Sequence, residues 1–129
     1  MAQTPDDFPI IIFHNPACGT SRTVLAMIEA AGYAPRVVEY LKAGWTRPQL
    51  DGLLAAMAAG PRDLLRENAP QVEMLDLLSP ATSDEAILTA MVEHPILVNR
   101  PVVTTPKGTR LARPAERVLD LLDRQPPTG

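Results

Sequence analysis

Residues 10–40 set a continuous apolar run (IIIF), a loop holding Pro16 and Gly19, a helical apolar spacing and a second apolar segment (RVVEY) in direct succession. A strand, a helix and a strand joined this closely favour one arrangement. It is a βαβ unit with a parallel strand pair and a right-handed crossover. The run at residues 10–13 is short and uninterrupted, as expected of a buried strand. From Thr20 the apolar positions Val24, Met27, Ile28 and Ala31 fall on one helical face, and Gly32 lies just past its end.

The middle of the chain reads as helices. Thr46 opens one, with Pro48 in its first turn and Leu50, Leu53, Leu54 and Met57 on the buried side, and Gly60-Pro61 breaks it. Residues 62–67 read as a short amphipathic turn or helix, and 72–78 as weakly helical. Ser83-Asp84-Glu85 starts a helix that reaches about Glu93, with acids in its first turn. Ile96-Leu97-Val98 then reads as a strand, Asn99-Arg100-Pro101 as a tight connection and residues 102–104 as the next strand. A turn at 106–109 leads to a short strand at Arg110-Leu111, and Pro114 starts a last helix carrying Val118, Leu119, Leu121 and Leu122.

The order βαβ, helices, ββ(β)α predicts an α/β chain with one mixed sheet covered by helices. This is the order of a thioredoxin-like fold with an all-helical insertion at about residues 46–93. Residues 10–124 read as the single domain, 1–9 as a flexible N-terminal leader and 125–129 as a C-terminal tail.

With 129 residues, 46% of them hydrophobic, the chain can bury one core. No apolar run approaches the roughly 20 residues of a membrane helix. Asp6 and Asp7 stand where a signal peptide would be basic, so the expected compartment is the cytoplasm. A net charge of -3 argues against an electrostatic nucleic-acid binder, and a monomer is the expected state. The charge is unevenly spread. Residues 8–28 and 94–115 contain no Asp or Glu, while the first stretch holds Arg22 and the only cysteine, and the second holds Arg100, Lys107, Arg110 and Arg113. Two acid-free stretches, one around a lone cysteine, point to a positive site.

That cysteine, Cys18, lies between a predicted strand and a helix N-terminus. Free backbone amides and the positive end of the helix dipole favour a thiolate there, and so does nearby Arg22. Thr20 and Ser21 can add hydrogen bonds, and His14, at the strand end, can help set the charge of the sulfur. The same loop is an anion pocket, so nucleophile and oxyanion site would coincide. A single buried cysteine is ordinarily a small hydrophobe. Here its neighbours are Pro, Ala, Gly and Thr, which favours a reactive thiol instead. A phosphatase-type Cys-x5-Arg loop is excluded by Val24, and a Cys-x-x-Cys dithiol by Ser21. One cysteine closes no intrachain disulfide, so a redox cycle needs a thiol from another molecule. With only His14 and His94 beside it, no metal site is expected.

Ten of the twelve basic residues are arginine, the side chain best shaped for bidentate oxyanion binding. Arg36, Arg47, Arg62, Arg117 and Arg124 read as solvated surface. Arg100, between Asn99 and Pro101, and Arg113, before Pro114, are held in constrained places, with Arg110 three residues earlier. Met27, Met57 and Met91 read as core.

HNPACGTSR (14–22), LLREN (64–68), HPILVNRPVV (94–103) and GTRLARP (108–114) together resemble the glutathione/glutaredoxin-linked arsenate reductases, over residues 10 to about 123. The resemblance implies that Cys18 is the nucleophile and that Arg66, Arg100 and Arg113 bind arsenate. It also implies that His14 affects the thiolate, and that Pro101 follows a cis peptide bond. Asn15, Gly19, Thr20, Ser21 and Arg22 would form the supporting loop and helix start. The implied reaction reduces arsenate to arsenite, with glutathione as co-substrate, glutaredoxin as protein partner and no bound cofactor. Two other readings belong to the same superfamily. One is a glutathione-dependent thiol reductase with another substrate, and the full arginine set argues against it. The other is an Spx-like regulator binding RNA polymerase, whose frequent Cys-x-x-Cys switch Ser21 precludes.

Overall fold

A computed structural model describes residues 8–127. The described chain divides into two compact units, one made of residues 8–39 and 100–127 and one spanning Tyr40–Asn99. Most of the leader lies outside the described residues.

The first unit is a four-stranded sheet in the order β2-β1-β3-β4. Strand β1 (Ile11–His14) runs parallel to β2 (Arg36–Glu39) and antiparallel to β3 (Val102–Thr105), which pairs antiparallel with β4 (Gly108–Leu111). Helix α1 (Gly19–Ala30) joins β1 to β2. Alternation through β1 and the residue before it sends Ile10 and Ile12 into one core with Val103, and the i, i+4, i+7 set Val24, Ile28 and Ala31 of α1 and its C-cap packs into the same cluster. A 3₁₀ helix, Ala115–Leu121, contributes Ala115, Val118 and Leu121. Helix α1 stops because Gly32 takes a φ of 94°, with Tyr33 N–H on the Ile28 carbonyl and Gly32 N–H on that of Glu29.

Two expectations change in this unit. Phe8, assigned to the flexible leader, is buried and stacks on Tyr33 with ring centroids 5.3 Å apart. Arg124, taken as solvated, lies over the Tyr33 ring at 4.4 Å and donates to the Gly32 carbonyl.

The second unit is helical, with α2 (Tyr40–Ala43), α3 (Arg47–Met57), α4 (Pro61–Leu64), α5 (Pro70–Met74) and α6 (Asp84–Glu93). It begins at Tyr40, earlier than the expected residue 46. Leu50, Leu64, Ile87, Met91 and Leu97 are wholly buried, whereas Met27 and Met57 are only partly so. The expected strand at 96–98 is a 3₁₀ turn, Pro95–Leu97, followed by one bridge between Val98 and Leu65. Pro95 fixes the turn at its first position, and a three-residue apolar run cannot by itself distinguish strand from turn. Arg62, expected to be solvated, donates to the carbonyls of Leu77, Ser79 and Thr82 and so fixes the loop before α6. Among the described residues, no helix is long and apolar enough to cross a membrane.

Candidate active site

The residues between β1 and α1 form a braced loop. The Asn15 side chain accepts from the Ala17 N–H at 2.9 Å, and the Cys18 N–H donates to the Asn15 carbonyl at 3.0 Å. The Arg22 guanidinium closes the loop by donating to the Pro16 carbonyl at 2.8 Å. Cys18 is the N-cap of α1, with extended backbone and no side-chain cap bond. Its thiol is buried, at 8% exposure.

Two arginines complete the surroundings. The Arg113 guanidinium Nη1 donates to Cys18 Sγ at 3.6 Å and to the Arg100 carbonyl at 3.1 Å. Arg100 precedes β3 and Arg113 follows β4, so the β3–β4 hairpin holds both on the sheet unit. The Arg100–Pro101 and Arg113–Pro114 peptide bonds are both cis.

Burial pushes the Cys18 thiol up, because it disfavours the charged form. The Ser21 amide, the Arg100 charge, the Arg113 hydrogen bond and the Thr20 amide outweigh it, and the thiol lies below its ordinary value. Arg22, expected to serve the sulfur, serves the loop instead, because its guanidinium turns back to Pro16. Ser21 serves through its amide rather than its hydroxyl. That hydroxyl is engaged elsewhere, accepting the Asn15 N–H at 3.1 Å and meeting His14 Nδ1 at 2.7 Å. Burial lowers the proton affinity of His14, Glu39 raises it and Arg22 lowers it, with a net value below the ordinary one.

The structure therefore brings together His14, Asn15, Cys18, Gly19, Thr20, Ser21, Arg22, Arg100, Pro101 and Arg113 within the sheet unit. Arg66 belongs to the helical unit, where its N–H donates to the Leu97 carbonyl at 2.8 Å and its Nε to Asn68 at 3.3 Å. Arg110 is ion-paired with exposed Asp120 at 2.9 Å. Glu39 was not singled out from sequence, and only its register opposite His14 reveals it.

A thiol opening the first helix of a mixed sheet, with arginines at hand, defines a thioredoxin-like protein with a single cysteine at a helix start. A sequence profile of the ArsC family matches residues 13–121, and this chain belongs to the ArsC family. It is 61% identical over 117 residues to an arsenate reductase, ArsI2, of Synechocystis, covering 91% of this chain and 84% of that one. It is 53% identical over 113 residues to an arsenate reductase of Rhizobium meliloti, covering 88% and 81%. Its fold matches a solved arsenate reductase from Vibrio cholerae with a TM-score of 0.86 at 35% identity, covering 91% of this chain and all of the other.

Proposed function

We propose that this chain is an arsenate reductase, an oxidoreductase that converts arsenate to arsenite through the Cys18 thiolate. The observation that carries this reading is the Arg113 guanidinium on Cys18 Sγ at 3.6 Å, at the uncapped start of α1. The arsenate reductases among its relatives supply the substrate. Arsenate is a tetrahedral oxyanion, and guanidinium forks match its paired oxygens. Arg100 and Arg113 hold it, and the resemblance of its sequence segment gives Arg66 an arsenate-binding role as well. His14, Asn15, Gly19, Thr20, Ser21, Arg22 and Pro101 support the loop and the helix start.

In this mechanism the Cys18 thiolate attacks arsenic. An S–As bond forms, an As–O bond breaks, and the oxygen leaves as water after taking up protons, with arsenic still As(V). A glutathione thiolate then attacks the Cys18 sulfur. The S–S bond forms, the S–As bond breaks, and its electron pair stays on arsenic as As(III). The two electrons come from two sulfurs, and a chain with one cysteine supplies only one of them. Glutathione is thus a co-substrate, and glutaredoxin restores the thiolate by thiol–disulfide exchange. The protein works as a monomer in the cytoplasm, without a bound cofactor.

The test is NADPH consumption with arsenate, glutathione, glutaredoxin and glutathione reductase. Arsenate-dependent turnover that disappears in Cys18→Ser is expected. No turnover, with Cys18 still taking up glutathione, would discard arsenate as substrate.

A further inference from the structure

His14 ends β1 and lies in register with Glu39, which ends β2. Residues in register on parallel strands project to the same face, so these two side chains stand side by side. The His14 ring meets the Ser21 hydroxyl at 2.7 Å through Nδ1. Ser21 is wholly buried, and its amide is among the groups that favour the Cys18 thiolate. A line of side chains therefore runs from β2 across β1 to the first turn of α1.

Arg22 of α1 opposes a proton on the ring, Cys18 lies in the adjoining loop, and β3 (VVTT) brings no titratable side chain. Burial and Arg22 both favour the neutral imidazole, and Glu39 opposes them. The outcome fixes the direction of a buried hydroxyl. With His14 neutral and its proton on Nε2, Ser21 donates its O–H to Nδ1 while accepting the Asn15 amide. With His14 protonated, Nδ1–H is the donor and the Ser21 hydrogen must turn elsewhere.

We propose that Glu39 is a positioning residue, acting through His14 and Ser21 to set the pH range over which Cys18 is ready to react. This rests on Cys18 being the nucleophile, but its test needs no arsenate. Cys18 is the only cysteine, so iodoacetamide alkylation reads it alone, and NMR reads the His14 titration. Glu39→Gln is expected to lower the His14 midpoint by about half a pH unit or more. The inflection that His14 imposes on the alkylation profile moves with it. Glu39→Asp keeps both near wild type, which separates charge from a general loss of structure. In His14→Asn the inflection is absent, and adding Glu39→Gln moves nothing further.

A His14 midpoint unchanged in Glu39→Gln would overturn the proposal. So would a midpoint that moves while the alkylation profile stays fixed. Shifts as expected in a protein without arsenate turnover would leave the role of Glu39 standing and remove the substrate reading instead.

Discussion

Helices α3 and α6 begin in the ordinary way and α1 does not. Thr46 caps α3 through a reciprocal box with Gln49, and Ser83 caps α6 by accepting the Ala86 N–H at 3.1 Å, with Asp84 and Glu85 in the first turn. At α1 the N-cap is Cys18, its side chain makes no cap bond, and no acid occupies the first turn. Capping satisfies free amides and stabilises a helix by about 1 kcal/mol. Helix α1 forgoes that gain, and its amides remain available to a thiolate and an incoming anion. Among the described helices of ten or more residues, α1 is the one whose N-cap side chain makes no cap bond, and that open start coincides with the thiol.

The largest effect should come from closing that open end. Cys18→Asp supplies a charged cap and removes the sulfur. Turnover should fall to background, while chemical denaturation shows a gain of about 1 kcal/mol. Loss of both activity and stability would mean that α1 is not open in this sense.

The arginines come next. Arg113→Lys and Arg100→Lys should each lower kcat/KM for arsenate roughly 10- to 100-fold, since an ammonium cannot reproduce the guanidinium fork. Arg113→Lys should also raise the Cys18 thiol value, because it loses the contact at 3.6 Å. Unchanged kinetics would remove that arginine from the site.

The capped ends give the converse result. Thr46→Ala and Ser83→Ala should each cost about 1 kcal/mol in denaturation and leave kcat/KM unchanged. A loss of activity there would blur the contrast between the helices.

The smallest effect is on the pH dependence of stability. Cys18 is more acidic folded than unfolded, so its ionisation favours the folded state. That contribution is fully present above the unfolded value of about 8.5 and is lost as pH falls through the lowered folded value. The Tm of wild type relative to Cys18→Ala should therefore rise with pH across that window. A flat difference would contradict the shift.

Much of this site could be read in the sequence because it is local. A buried strand, a Pro/Gly loop and a helix start within residues 10–20 fix where Cys18 sits, and the acid-free stretches around Cys18 and Arg100 already mark the positive region. What could not be read depends on long-range partners. Arg113 reaches Cys18 across 95 positions, and Glu39 meets His14 only through strand register. Arg62 and Arg124 have no periodic signature, so their work on backbone carbonyls and on Tyr33 stayed hidden behind the general rule that arginines are solvated. Ile96-Leu97-Val98 misled for a different reason. A short apolar run has no periodicity, and Pro95 turned it into a 3₁₀ turn.

The most direct test of the open helix start is the ionisation of Cys18 itself, followed by thiolate absorbance near 240 nm against pH in the folded and the denatured chain. With a single cysteine, the signal has one source. The folded midpoint should lie below the denatured one, which should fall near 8.5. A folded midpoint at or above the denatured value would mean that burial outweighs the amides and arginines, and the thiolate account of this site would fail.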